Sequence, residues 1–167
     1  LPAAFGTGIL LLTWSVYIIS WFFSVVGGVQ NPLLYGNVIV LVSGTVILAV
    51  ILMIKKKKNH PFLEGKLWED KSRFRKELIL YGLLLAFITY MMFYVFYIRD
   101  GVLYSGLTVY GDYAPHTAMM RSFSLGNNFP TQYPHYGGAD VKYHFMFQFL
   151  AGNLEYLGLR LDFAYNI

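Results

Sequence analysis

The sequence predicts an all-α, polytopic transmembrane protein: three spans, then an external loop carrying two short interfacial helices. Three observations lead there. The 167-residue chain is 56% hydrophobic and only 13% charged, where a soluble domain carries about 25% charged residues. Not one Asp, Glu, Lys or Arg occurs from Leu1 to Ile54, a stretch too long to hide in the core of so small a soluble fold. Nine of the 13 Lys and Arg residues fall between Lys55 and Lys76, the bias expected of a cytoplasmic loop between spans. Cysteine is absent, which excludes disulfides and thiolate zinc sites. The net charge of +4 is concentrated in that one loop, so it reads as a topology signal and not as a nucleic-acid footprint. Membrane lipid is the expected partner, and no nucleic acid is.

Span one covers about 3–26. Gly27-Gly28-Val29-Gln30-Asn31-Pro32 is rich in helix breakers and makes a tight turn. Span two covers about 33–54. Each has the roughly 20 apolar residues that cross a hydrocarbon core of about 30 Å. Neither alternates with the period of a barrel strand, so both are helices. Lys55-Lys56-Lys57-Lys58 ends span two and opens a polar loop, 55–77, with Trp68 near its middle. Span three covers 78–98, uncharged throughout. Its end is aromatic (Tyr90, Phe93, Tyr94, Phe96, Tyr97), as at a membrane interface. Residues 1–98 thus form the transmembrane region. The basic loop faces the cytoplasm and 99–160 is external, in an integral protein of the cell membrane. The chain begins at Leu and stops within a pattern, so it reads as a fragment of a longer polypeptide.

The external segment holds the ionisable groups. Asp112 suits a helix N-cap and the positive end of the helix dipole. Pro115 belongs in a first turn, and Gly126-Asn127-Asn128 is a stop. A helix is therefore expected from Asp112 to about Leu125. A Gly- and Pro-rich loop follows to Gly138, with Tyr133 and Tyr136 interleaved. A second helix is expected from after Asp140 to about Leu157. Asp112 and His116, four apart, share a helix face, whereas Arg121 lies about half a turn away. His144, Gln148 and Glu155 make one polar stripe on the second helix. The bland readings are a cap for Asp112, satisfied interfacial histidines for His116 and His144, and bilayer anchoring for the aromatic residues. The sharper one is a carboxylate and an imidazole that ligate a divalent metal ion, the one candidate cofactor, or that move protons at the lip of the bilayer.

Asp112-Tyr113-Ala114-Pro115-His116, Arg121-Ser122-Phe123, Gly126-Asn127-Asn128-Phe129-Pro130, Tyr136-Gly137-Gly138 and Tyr143-His144-Phe145 together resemble the first large external loop of GT-C-type glycosyltransferases. The likeness covers 109–167. It implies a multi-spanning enzyme that takes a sugar from a polyprenyl-phosphate-linked donor and passes it to an acceptor on the external face. It implies that Asp112 is the essential acidic residue, as general base or, with His116, as metal ligand. His116 and His144 become its catalytic assistants, and Arg121, Tyr136, Lys142 and Gln148 the substrate-binding set. Arg99, Arg121 and Lys142 are the cations available to a leaving lipid phosphate. Residues 161–167 would open a further span. A donor reached from the lipid needs no nucleotide-binding Gly-rich turn, and none is present. The competing reading is a non-enzymatic polytopic protein, a transporter or flippase component or an assembly scaffold. Transporters bury ionisable residues within their spans, and these three spans carry none.

Overall fold

A computed structural model describes residues 2–57, 71–106 and 110–166. Most of the expected basic loop, including Lys58 and Trp68, lies outside the described residues. The element order is α1 (Pro2–Val25), α2 (Pro32–Lys57), α3 (Lys71–Val95), β1 (Phe96–Arg99), β2 (Val102–Ser105), α4 (Tyr110–Ser124), α5 (Met146–Tyr156) and α6 (Leu161–Asn166).

Three helices, α1, α2 and α3, are long and apolar enough to cross a membrane. α1 and α2 form a hairpin. Its turn reverses at Gly28, whose φ of 60° is left-handed and so favours glycine. Pro32 opens α2 at the position where a missing N–H costs nothing, and Lys55, Lys56 and Lys57 close it at the negative end of its dipole. The two helices meet at small residues. A Cβ on Gly36 would run into the Ser20 hydroxyl and the Val16 carbonyl, so the approach depends on glycine. Phe23 stacks on Tyr35 at 5.0 Å beside this crossing.

α3 departs from the expected span at both ends. It starts earlier, at Lys71, with an Arg73–Glu77 ion pair of 2.8 Å one turn apart. It also stops at Val95, because Phe96–Arg99 leave the helix to pair with Val102–Ser105 as an antiparallel hairpin. The all-α expectation is corrected here. Asp100 and Gly101 both take left-handed φ, 52° and 77°, as a two-residue hairpin turn demands. The flanking aromatic and branched residues favour strand. No α3 side chain is buried.

The region 110–166 packs on the turn end of the α1–α2 hairpin, the end away from Lys55–Lys57. Asn127 donates to the Gln30 carbonyl at 2.7 Å, and the Tyr156 hydroxyl to Asn31 Oδ1 at 2.9 Å. Ser24 donates to the Phe129 carbonyl at 3.1 Å. Deeper along the hairpin, Tyr17 shares a 2.9 Å hydrogen bond with Thr131 and packs its ring on Phe129, Phe145 and Phe149. Asn37 and Asn153 exchange two amide hydrogen bonds, 2.7 and 2.9 Å, across α2 and α5. The buried Asn153 amide is thereby satisfied by the half-buried Asn37, where an orphan would cost about 1–3 kcal/mol.

Two apolar clusters sandwich the α4–α5 pair. Met119, Phe123, Phe129 and Phe149 join Val16, Leu33 and Val40 of the hairpin. Met120 and Ala151 join Leu161 and Ala164 of α6. Full burial of each phenylalanine contributes about 1.5–3 kcal/mol. α4 and α5 touch at Gly152, where a Cβ would collide with the Met120 carbonyl. Gly152→Val is therefore expected to force the two backbones apart, at a cost above the roughly 1–3 kcal/mol of ordinary overpacking, because the obstacle is main chain. Thermal unfolding of the purified chain in detergent would read it, with Gly82→Val on α3 as the control; nothing lies within 4 Å of a Cβ there. Equal melting temperatures for the two variants would contradict the packing described.

α6 is six residues long and grips the free edge of the hairpin. Asp162 Oδ2 accepts the Ile98 N–H at 2.9 Å, and Asn166 Nδ2 donates to the Phe96 carbonyl at 2.7 Å. One helical turn on α6 thus matches two residues on β1, and the unpaired strand edge is covered.

Candidate functional site

α4 begins two residues before Asp112, so the carboxylate sits in the first turn and is not the N-cap. Its charge still faces the positive end of the dipole. Pro115 is correspondingly not in the first turn but inside the helix, where it removes the N–H that would have reached the Gly111 carbonyl. The stop comes where expected: Asn127 takes a φ of 49°, and the Asn128 N–H returns to the Ser122 carbonyl at 3.2 Å.

Asn128 then organises the loop. Its amide donates to Ser122 Oγ and to the Gln132 carbonyl, both at 2.8 Å, and its oxygen accepts the Gln132 N–H at 2.8 Å. Gln132 bridges to Asp140, and the Tyr133 N–H meets the Ala139 carbonyl at 3.1 Å. Asp140 therefore closes a loop and starts no helix. Residues 141–145 run on without helical structure, and α5 begins only at Met146. The expected stripe of His144, Gln148 and Glu155 is corrected accordingly. His144 precedes the helix, Gln148 faces a cleft, and Glu155 turns toward α4.

That cleft, of ≈ 310 Å³, is lined by Asp112, His116, Tyr133, His135, Tyr143, His144 and Gln148 over an apolar floor that includes Met119 and Phe145. Asp112 and His144 are exposed and His116 is half-buried. Gln148 is only 4% exposed, and its Oε1 has no hydrogen-bond partner. Each of the two loop histidines packs on a tyrosine: His135 on Tyr133 at 5.3 Å, His144 on Tyr143 at 3.7 Å. Three of the chain's four histidines thus meet one carboxylate. The chain matches no family model, no curated protein and no solved structure. The chemistry of the cleft is read from its residues alone.

The other expected site residues lie elsewhere. Arg121 Nε pairs with Glu155 Oε1 at 3.2 Å, while Ser124 donates to the second carboxylate oxygen at 2.6 Å. Arg121 lines a separate hollow of ≈ 280 Å³ with Phe96, Tyr113 and Thr117. Tyr136 points outward, 70% exposed. Lys142 is exposed between Val141 and Tyr143, both of which line the cleft. Arg99 belongs to a third hollow, of ≈ 840 Å³, with Tyr90, Tyr94, Tyr97 and Tyr104. Alternation along β1 puts it on the strand face opposite Phe96.

His135 is not singled out by the sequence, and Tyr133 and Tyr143 enter there only as part of a loop and a motif, without a role at the site. The signal available was the i, i+2 spacing of Tyr133 and His135 beside the named Tyr136. Among the described residues, no group of three or more His, Asp or Glu is gathered to hold a metal ion. Asp112 and His116 share the cleft with His135 and His144, but these are not gathered closely enough to form such a group. Among the described residues no Lys or Arg lines the cleft, and the acid–base groups that do are a carboxylate, imidazoles and phenols.

Beneath the cleft, Tyr165 reaches from α6 to His116, its hydroxyl 3.3 Å from Nδ1. Burial, reinforced by Tyr113 and by the Asp112 charge, pushes the Tyr165 phenol above its ordinary value. Burial does the same to Tyr113.

Proposed function

We propose that the chain carries the acceptor-activating site of a membrane glycosyltransferase of the GT-C kind. The observation that carries this reading is the gathering of Asp112, His116, His144 and Gln148 around one cleft, at the end of the helical hairpin remote from its lysines. In this reading Asp112 takes a proton from an acceptor hydroxyl, whose oxygen attacks the anomeric carbon. The bond from that carbon to the lipid phosphate breaks, and polyprenyl phosphate leaves with the bonding pair. Gln148 hydrogen-bonds substrate through its free amide oxygen, and the imidazoles serve developing charge. Lys142, whose neighbours Val141 and Tyr143 line the cleft, is the candidate cation for the phosphate. Arg121 is held by Glu155, and Arg99 faces another hollow.

The reading places the cleft outside the cell membrane and the lysine run in the cytoplasm, by the positive-inside rule. A chain without cysteine allows a clean check. In cells, Tyr136→Cys is expected to react with a membrane-impermeant maleimide, and Lys57→Cys only after permeabilisation. The reverse pattern would sink the assignment of sides, and the lipid-linked donor with it. Transfer itself is tested with membranes containing the full-length protein and labelled polyprenyl-phosphate sugars. Movement of label from the lipid to a water-soluble or protein fraction is expected. Label that stays on the lipid with every donor overturns the enzymatic reading.

A further inference from the structure

We infer that Tyr165 is a positioning residue, one that holds His116 as the Nε2–H tautomer and so makes it a hydrogen-bond donor toward the Asp112 cleft. The inference rests on the proposed reading only in treating the cleft as a reaction site; the tautomer exists without substrate.

Four elements fix the phenol. α6 supplies it, and that helix is clamped to β1 on either side of Tyr165 by Asp162 and Asn166. The ring lies against Phe96 of β1 at 4.6 Å, Tyr113 of α4 at 5.7 Å and Phe147 of α5 at 5.5 Å. A ring held on three sides keeps its hydroxyl in one place. Among the described residues, the hydroxyl has one hydrogen-bond partner, His116 Nδ1 at 3.3 Å.

The direction of that bond follows from the proton inventory. A phenol, with an ordinary pKa of about 10, keeps its proton at neutral pH. Nδ1 is the acceptor within reach of that proton. A neutral imidazole that accepts at Nδ1 carries its own proton on Nε2. His116 also lines the cleft, so Nε2–H is the group left to act there. It can donate to an oxygen on which negative charge develops, but its lone pair is already taken. Of the two residues on this face of α4, Asp112 is then the proton acceptor and His116 the donor. Residue type alone assigns neither role.

The test is nitrogen NMR of the purified chain, ¹⁵N-labelled at histidine, at a pH above the histidine range. The His116 signal is identified by its disappearance in His116→Gln. The expected wild-type spectrum has the His116 proton on Nε2, with Nδ1 shifted from an unbonded ring nitrogen toward a hydrogen-bonded one. Tyr165→Phe keeps the ring and removes the hydroxyl, and is expected to return Nδ1 to the unbonded position and to mix the tautomers. A wild-type proton on Nδ1 overturns the inference even if Tyr165→Phe proves unstable. So does a Tyr165→Phe spectrum identical to wild type. Neither readout needs transfer activity, so this inference and the transferase reading fail separately.

Discussion

Asp112→Asn in the full-length protein is expected to lower sugar transfer by about 10²–10⁴-fold, the loss typical of removing a general acid–base group. Its level in the membrane is expected to stay unchanged. The substitution is close to isosteric, and Asp112 is exposed, so no packing is lost. What the fold does lose is a negative charge in the first turn of α4, worth about 0.3–1 kcal/mol. That is too little to empty the folded state of a protein with ordinary stability. A measured loss of transfer per folded molecule therefore reports on chemistry. The comparison that sharpens it is Tyr136→Phe, in the loop after α4 but pointing outward, for which near wild-type transfer is expected. Normal transfer by Asp112→Asn would remove this residue from the mechanism. Loss of transfer together with loss of the protein from the membrane would assign it a structural role instead.

Asp162→Ala is expected to release α6 from the hairpin. The carboxylate is fully buried and accepts four hydrogen bonds: Arg160 Nε at 2.6 Å and Nη2 at 2.8 Å, Ile98 N–H at 2.9 Å and Phe163 N–H at 3.1 Å. Breaking a buried ion pair by removing one partner costs about 3–5 kcal/mol. Here that is an upper bound, because the Arg160 side chain is 54% exposed and water can take it up. The firm part is the orphaned Ile98 N–H, about 1–3 kcal/mol. Amide exchange at Ile98 is the direct readout. It should quicken by roughly tenfold to a hundredfold, since each 1.4 kcal/mol is a factor of ten. Unchanged protection would mean that α6 is held by its apolar contacts alone.

Acid should imitate this variant. Burial, the largest single influence, raises the Asp162 carboxyl, but the bonds from Arg160, Ile98 and Phe163 together outweigh it and hold it below the ordinary 3.8. A carboxyl depressed in the folded state contributes stability that is fully present above its unfolded value and is lost as pH falls through the folded one. The α6 contact should therefore be insensitive to pH from neutral down to about 4. Below that, Ile98 exchange, corrected for its intrinsic pH dependence, should quicken in wild type and not in Asp162→Ala. The same experiment bears on His116, because Tyr165 sits between the two residues that clamp α6.

Much of this architecture is legible residue by residue. Three stretches free of charge, broken by Gly27–Pro32 and by the lysines from Lys55 onward, mark three helices because lipid leaves a backbone few ways to satisfy itself. The glycine and asparagines after Leu125 end α4 for a local reason that sequence shows directly. The strand pair was legible as well, in Asp100-Gly101 between Phe96–Arg99 and Val102–Ser105, a turn dipeptide flanked by strand formers. Apolar content had absorbed Phe96–Ile98 into span three, because hydropathy does not distinguish a helix end from a strand. The late start of α5 was not legible: Asp140 looks like a cap, and only the closure of the loop onto Gln132 shows that its place is taken.

The site divides along the same line. Asp112 and His116 follow from helix period, since neighbours four apart share a face whatever surrounds them. His135, Tyr133 and Tyr143 reach the cleft through a loop whose path is set by Asn128, and Tyr165 through a helix docked 49 residues away in sequence. What the chain by itself determined is therefore local and one-dimensional: which segments are helical and apolar, which end carries the lysines, and which short-range pairs face together. What only the tertiary structure decided is which distant groups converge on Asp112, that Arg121 is taken by Glu155, and which imidazole nitrogen meets a phenol. The reason is physical. Helix period and transfer into lipid act over a few residues or a single span, whereas a cleft is assembled from contacts between segments whose separation along the chain carries no trace of their distance in space.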